Sequence, residues 1–388
     1  MTPILLDVTR TLRTTRENAT GIDRVERAYI RHLPKTARPL LFLGGYRGGC
    51  AIFRAEDARL LLDGKIVNDR SKLKQSVRFF RYPQFWDSAP IWAGSYWRLS
   101  KELSRQLPRG FHYVNVGHTH LTSPLFRRLR SGGAKTASVL LHDTIPLDRP
   151  GLQTAKSVRR FRRRFDAATK NADQIIANSA YTAERVRHWS GRSAAKLPIR
   201  VAHLGVDPAP DGPPVTSSTP YFVQLGTIEP RKNHEMILDI WDSFGDQPNI
   251  PHLHIIGRWG WMAEALKERL RTNGQLNRSI FHHEFMGDEE VAAYIRGAQA
   301  LLFPSLVEGF GYPLFEAMQM NTPVIWPPLP AFKELAPEGP LYTESRDVKA
   351  WAQQIKRLAD AGSDKIDFST KVRIPRWDEH FEWVNTLS

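Results

Sequence analysis

LLFPSLVEGFGYPLFEAMQMNTPVIWP, residues 301–327, decides how the rest of the chain is read. The apolar run Leu301 to Phe303 has the length and composition of a buried strand, and Val324 to Trp326 repeats it. Between them lie a glycine-rich turn and a helix expected to begin near Pro313, because proline suits the first helical position, where a backbone N–H has no partner. Gly309 and Gly311 permit the close backbone approach that a bound ligand requires. Glu308 precedes the glycines, and Glu316 follows about one turn into the helix, so both carboxylates can face one ligand lying across the helix N-terminus. That terminus offers unpaired donors and partial positive charge. An ordinary strand-to-helix turn explains either glutamate singly; it does not explain both together with the glycines and the flanking strands.

The run from Glu308 through Gly309, Phe310, Gly311, Tyr312, Pro313, Leu314 and Phe315 to Glu316 resembles the Glu-seven-residues-Glu signature of retaining nucleotide-sugar glycosyltransferases with the GT-B architecture, the group 1 or family four enzymes. The resemblance implies an α/β chain of two Rossmann-like domains whose parallel sheets face a cleft, the nucleotide being held mainly by the C-terminal one.

A chain of 388 residues is long for one core and suits two domains of about 150 to 200 residues. The composition, 41% hydrophobic and 10% aromatic, is that of a globular protein, and no apolar run reaches the roughly 18 to 20 residues that span a bilayer. The start MTPILLDVTR lacks the pattern of a secretory signal, and the lone Cys50 can form neither an internal disulfide nor a metal cluster. A cytoplasmic protein, peripheral at the inner face of a membrane, is the expectation. The net charge of +15 is uneven: residues 1–206 hold 38 Lys and Arg against 15 Asp and Glu, and the remainder 17 against 25. Solubility would explain an excess of charge but not this asymmetry, so the first half faces something anionic: a membrane surface, a phosphate-bearing acceptor or nucleic acid.

Residues 1–206 are expected to form an acceptor-side domain, 207–220 a linker, 221–370 the nucleotide-sugar domain, and 371–388 a C-terminal helix returning to the first domain. Strand-helix alternation carries this reading. Strands are expected at Ile4–Val8, Pro39–Leu43, Tyr113–Val116, Ser138–Leu141, Gln174–Ala177 and Ile199–His203. Helices are expected from Thr20-Gly21, at Pro124–Leu129, Thr154–Lys170 and Ala180–His188. Residues 44–108 show no clear period, and the aromatics between 79 and 97 read as core or as an acceptor pocket. GVDPAPDGPPVTSSTP, residues 205–220, has linker composition. Beyond it come strands at Tyr221–Leu225, His252–Gly257 and from Ile280, a helix capped by Gly287-Asp288, a short strand near Leu341 and a helix from Arg346 to Ala361.

Under the resemblance, Glu308 holds donor-sugar hydroxyls, the backbone of Gly309, Phe310, Gly311 and Tyr312 touches sugar or phosphate, and Glu316 binds the ribose. Arg231 and Lys232, at a helix entrance, are the diphosphate clamp. Many family members place an arginine directly after the loop glycine, where this chain has Thr227; Lys232 matches the second cation and Arg231 stands in for the first. Gly21 brings backbone donors near a phosphate, with Arg24 close behind, and His142 before Asp143 ends a strand beside the reacting sugar. The helix KSVRRFRRRFDAATK offers Arg159, Arg160, Arg162, Arg163 and Arg164 to an anionic lipid surface or a phosphate-linked acceptor.

The function expected is transfer of a hexose or deoxyhexose to a glycan or lipid-linked acceptor with retention, in surface polysaccharide synthesis. No DxD motif is present, and neither a cofactor nor a metal is expected. A sugar-nucleotide epimerase or phosphorylase of the same architecture is the alternative, since fold does not fix reaction. A nucleic-acid-binding protein is disfavoured because no recognised motif accompanies the arginines.

Overall fold

The computed structural model describes residues 1–13, 20–36, 38–46, 49–63, 90–191, 195–245, 247, 249–336, 343, 347–360 and 372–386. The strand expected near Leu341, the aromatics at 79–89 and the outer ends of the helix expected at 346–361 lie outside them.

Two sheets organise the chain. The first contains β1 (Ile4–Asp7), β2 (Leu40–Tyr46), β3 (Gly49–Arg54), β4 (Trp92–Ser95), β5 (Phe111–Asn115), β6 (Ala134–Leu141), β7 (Gln174–Ala177) and β8 (Ile199–Val201), in the order 4-3-2-1-5-6-7-8. The block from β2 to β8 is parallel, with Leu5 of β1 facing Leu41 and Tyr113. Its helices are α1 (Gly21–His32), α2 (Ala58–Leu62), α3 (Leu99–Gln106), α4 (Ser123–Ser131), α5 (Ile145–Asp148), α6 (Ala155–Asn171) and α7 (Ala180–Ser190). Alternate residues of β1 enter different layers: Ile4 and Leu6 pack in one cluster with Val25 and Tyr29 of α1, and Leu5 in another with Leu103 and Leu125. Burial on both faces is what makes such strands read as unbroken apolar runs.

The antiparallel pairings β2–β3 and β3–β4 lie among the described residues of the stretch that showed no period. Gly44, Gly45 and Gly94 sit in these strands, and glycine contributes no side chain to the alternation by which a strand is recognised.

The second sheet has β9 (Tyr221–Leu225), β10 (His252–Ile256), β11 (Ile280–His283), β12 (Ala300–Leu302) and β13 (Val324–Ile325) in the order 11-10-9-12-13, all parallel. Around it run α8 (His234–Phe244), α9 (Glu264–Thr272), α10 (Asp288–Gly297), α11 (Tyr312–Gln319), α12 (Pro330–Lys333) and α13 (Val348–Asp360). Helix α9 is absent from the sequence reading for a plain reason: Leu266 and Leu270 are its only buried side chains, too thin a stripe to register as a period. Residues 202–220, between the sheets, form neither helix nor strand. No helix among the described residues is long and apolar enough to cross a membrane.

The last helix, α14 (Trp377–Asn385), lies on α1 of the first domain. Phe381 packs edge-on to Tyr29 at 4.8 Å and stacks with His32 at 5.4 Å. His380 Nδ1 lies 2.9 Å from the carbonyl oxygen of His203; a carbonyl only accepts, so Nδ1–H donates and Nε2 accepts the Tyr29 hydroxyl at 2.7 Å. Burial pushes the His380 imidazole down to about 4, against an ordinary value near 6.5. The unfolded chain therefore binds a proton that the folded chain refuses. The stability due to this neutral histidine is complete above about pH 6.5 and is lost as pH falls towards 4. Thermal denaturation between pH 7 and 4.5 should show a falling midpoint, and His380→Gln should make that fall shallower; an equal slope in the variant would remove His380 from the account.

Candidate active site

The loop leaving β9 carries Glu229, Arg231 and Lys232 into α8. Pro230–Lys232 is one 3-10 turn, and Asn233 at φ 55° redirects the chain into the helix, a left-handed conformation that asparagine tolerates better than most residues. This turn aims both cations at the loop after β12. There Glu308 Oε1 accepts from Arg231 Nη1 at 2.6 Å, Lys232 Nζ at 2.7 Å and Ser305 Oγ at 2.9 Å. Glu229 pairs with Nε of Arg231 from the other side. Side-chain exposure is 8% for Glu308, 9% for Lys232 and 2% for Glu229.

Burial opposes every charge in this quartet. It would raise the Glu308 carboxyl, but Arg231 and Lys232 outweigh it and hold Glu308 below the usual range. Burial wins at Lys232, which is lowered, and at Glu229, which is raised. Arg231 remains charged, since Glu308, Glu229 and Asp143 together outweigh its burial. Two carboxylates and two cations balance one another, and an entering diphosphate would compete with Glu308 for the pair.

The two glycines after Glu308 have separate uses, Gly309 in the domain contact and Gly311 within the second domain. A Cβ on Gly309 would collide with the His142 carbonyl oxygen and come within 2.9 Å of Asp143 Cβ; the Gly309 carbonyl accepts from Ser179 Oγ at 2.9 Å. Gly311 caps α11 at φ 90°, and a Cβ there would collide with Phe332. Pro313 occupies the second helical position rather than the first, Tyr312 being first. The Phe310 side chain is buried against Tyr312 and Phe315, so only its backbone can meet a ligand.

Glu316 stands apart from Glu308. It pairs with Arg24 Nη2 of α1, whose guanidinium lies 5.2 Å from the Tyr312 ring centre. Gly21 opens α1 beside the same ring, where a Cβ would stand 3.8 Å from Tyr312 Cδ2. The site thus has two centres, each bridging the domains: Gly309, next to Glu308, with His142 and Asp143, and Glu316 with Arg24 beside Gly21.

His142 is fixed on all sides. Its Nε2 meets the Val116 carbonyl oxygen at 2.7 Å and so carries the proton, leaving Nδ1 as an acceptor. Its backbone N–H donates to His118 Nε2 at 3.1 Å, and its carbonyl accepts from Asn178 Nδ2 at 2.7 Å. Burial holds the imidazole at about 4, hence neutral near pH 7. Burial raises Asp143, whose Oδ1 accepts from the Ile145 N–H at 3.0 Å.

The arginines of α6 divide. Positions on a helix turn by about 100° per residue, so Arg159 and Arg163 share one exposed face and Arg160 and Arg164 the next. Arg162 pairs with Asp166 at 3.0 Å, and Phe161 and Phe165 turn inward and stack at 6.1 Å. Sequence reasoning did not single out Glu229, Ser305 or Glu334. The last accepts from the N–H groups of Ala180 and Tyr181, both at 2.8 Å, so a side chain of the second domain caps α7 of the first.

Residues 219–361 match the family described as Glycosyl transferases group 1, and residues 60–210 match Glycosyltransferase Family 4. The structure of Anabaena Alr3699/HepE in complex with UDP-glucose superposes with a TM-score of 0.66 at 14% identity, covering 100% of this chain and 99% of that one. Two facing sheets, a nucleotide-sugar signature at the second and this likeness define a GT-B glycosyltransferase fold. The chain belongs to the group 1, family four glycosyltransferases, as the resemblance at residues 308–316 implied. Serotype-specific mannosyltransferase WbdA of Escherichia coli is 31% identical over 284 residues, covering 65% of this chain and 35% of WbdA. O-antigen chain mannosyltransferase RfbU of Salmonella typhimurium is 33% identical over 138 residues, covering 36% of this chain and 38% of RfbU. The chain spans about a third of the length of these relatives.

The quartet makes a stability prediction. Glu308→Gln leaves buried Lys232 and partly buried Arg231 facing one carboxylate, and breaking a buried pair in this way costs about 3 to 5 kcal/mol. Denaturant titration should show that loss, and added nucleoside diphosphate should raise the variant's melting temperature more than the wild type's, because the ligand supplies the missing negative charge. Equal stability of the two proteins would show that Glu308 does not balance the cations.

Proposed function

We propose that the protein transfers a hexosyl residue, mannosyl in the first instance, from a nucleotide-sugar donor to a hydroxyl of a surface glycan under assembly, retaining the anomeric configuration. The observation that carries this reading is the pair Arg231 and Lys232 at the entrance of α8, Lys232 buried and Arg231 partly buried, both held by Glu308. Two fixed cations in a water-poor cleft neutralise charge on a leaving diphosphate without reorganising when it develops. The mannosyl donor follows the similarity to relatives described as mannosyltransferases.

In this reading the first domain, 1–206, receives the acceptor and the second, 221–370, holds the donor. The acceptor hydroxyl attacks the anomeric carbon from the face that the diphosphate leaves. The carbon–oxygen bond to the diphosphate breaks, and the departing phosphate oxygen takes the hydroxyl proton. Arg231 and Lys232 hold the diphosphate and Glu316 the ribose. Glu308, freed of its cations by the diphosphate, turns to donor-sugar hydroxyls, and neutral His142 meets the reacting sugar without adding charge. The backbone from Gly309 to Tyr312 and the α1 entrance at Gly21 complete the donor contacts. The protein works in the cytoplasm, peripheral to an anionic membrane face met by Arg159 and Arg163. With both phosphate charges countered by side chains, no metal is needed for the leaving group.

Calorimetry with a panel of nucleotide sugars, followed by NMR of the product linkage, tests the reading; binding of none of the panel, or an inverted product, ends it. Lys232→Ala should weaken nucleoside diphosphate binding roughly 10- to 100-fold, the worth of one charge-assisted contact at about 1.5 to 3 kcal/mol, while far-UV circular dichroism stays that of the wild type. Chelation of divalent metals should leave turnover unchanged, and a loss reversed by magnesium or manganese would refute the metal-free assignment.

A further inference from the structure

The donor reading leaves a histidine and a carboxylate unused in the first domain. Asp7 ends β1 in the middle of the sheet, fully buried, with Leu43 of β2 and Asn115 of β5 as its register partners. Its Oδ1 accepts from the Thr9 N–H at 3.0 Å, and its Oδ2 accepts from the Tyr113 hydroxyl at 2.9 Å. His120 Nδ1 stands 3.4 Å from the same Oδ2 without making a hydrogen bond. The imidazole fits there because Gly45 of β2 has no side chain: a Cβ on it would come within 2.9 Å of the ring. Tyr96 packs edge-on to the same ring at 5.9 Å.

Packing alone does not account for this arrangement. His118 and His120, both after β5, hold φ at 54° and 61°, a left-handed backbone that residues with a Cβ keep chiefly where a side chain has to be aimed. Buried polar atoms are nearly always partnered, yet Asn115 Oδ1, Thr119 Oγ1 and His120 Nδ1 have no hydrogen-bond partner among the described residues. No described hydrogen bond reaches His120 Nε2 either, and 15% of the side chain is exposed. The group also lies at the carboxyl ends of parallel strands, where open α/β folds bind ligands. That end of the sheet faces the second domain, for Gly21 stands against Tyr312 and His142 against Gly309.

The chemistry suits a neutral ligand that carries hydroxyls. A carboxylate beside Nδ1 favours the tautomer with the proton on that nitrogen, which leaves Nε2 a lone pair to accept from an O–H. An anion would meet the Asp7 carboxylate behind the ring, and no three His, Cys, Asp or Glu side chains among the described residues gather to hold a metal ion. We infer that His120, backed by Asp7, holds an unreacting hydroxyl of the acceptor's terminal sugar and so helps select which sugar the first domain receives. The proton of the reacting hydroxyl still leaves with the phosphate; His120 binds and transfers nothing. The inference rests on the transfer reading for the word acceptor, but the contact itself is testable without any transfer.

Two substitutions divide the ring. In H120N the amide nitrogen stands where Nδ1 stood, on a residue that tolerates the left-handed backbone, and nothing replaces Nε2. In H120Q the longer amide reaches the place of Nε2. Steady-state kinetics on the full chain would use nucleotide-linked mannose as donor and octyl glycosides of mannose, glucose and N-acetylglucosamine as acceptors. H120N should raise KM for the preferred acceptor roughly tenfold, the worth of one hydrogen bond, with kcat, nucleotide affinity and melting temperature little changed. H120Q should restore most of that affinity. Monodeoxy forms of the acceptor locate the hydroxyl: one of them should cost the wild type the same factor and cost H120N nothing further. A wild-type KM in H120N, a folded H120Q that binds as poorly as H120N, or deoxy forms that all cost both proteins alike would overturn the inference. Transfer by the wild type to none of the three glycosides counts against the transfer reading, and saturation-transfer NMR with the same glycosides beside nucleoside diphosphate then decides the site. A glycoside contact that is lost in H120N supports the inference, and no contact in the wild type overturns it.

Discussion

One carboxylate oxygen, Oε1 of Glu308, holds the second domain's functional loops in register. It takes hydrogen bonds from Arg231 and Lys232 after β9 and from Ser305 after β12, tying together the carboxyl ends of two neighbouring strands. Without it Arg231 and Lys232 would be left to Glu229, one carboxylate for two cations, and the turn Pro230–Lys232 would lose its tie to the loop after β12. The compensation is incomplete: burial lowers Lys232 and raises Glu229 even in the intact quartet. Such a site is ready to exchange an internal anion for an external one, because the cost of removing the cations from water has been met in folding.

The first domain completes what the second begins. Gly309 rests on the His142 carbonyl, Arg24 engages Glu316, and Glu334 caps α7, so three separate contacts join the two sheets across the cleft. Each uses a group that a ligand would also want: a backbone edge, a carboxylate, a helix N-terminus. The domain contact thus draws on the same atoms that the proposed donor contacts would use.

Much of the architecture was legible because parallel strands covered on both faces leave unbroken apolar runs; ILL, VLL, IIA and LLF each fell within the strand expected. The hairpin edge β3–β4 was hidden by glycines, and α9 by its narrow buried stripe. The site was legible in its charged residues but not in their pairing. Arg231 and Glu308 are 77 residues apart, and nothing local says that they touch. The glycines show the same division: their freedom was evident from sequence, while its use, letting Gly309 meet the other domain and Gly311 turn beside Phe332, depends on where the fold brings the neighbours. Arg24 and Glu316 likewise read as separate ligand contacts, and only the tertiary structure shows them occupied with each other.

Helix α14 ends the chain on the domain in which it began, with Trp377 Nε1 bound to Asp207 at 2.9 Å and Phe381 against Tyr29. The backbone therefore passes between the sheets twice, outward through 202–220 and back before α14, and the two crossings are bound to each other where Trp377 meets Gly205 and Asp207. A single tether would permit the halves to swivel in any direction. Two tethers fastened side by side hold that edge of the domain pair at two points and so restrict its swivel.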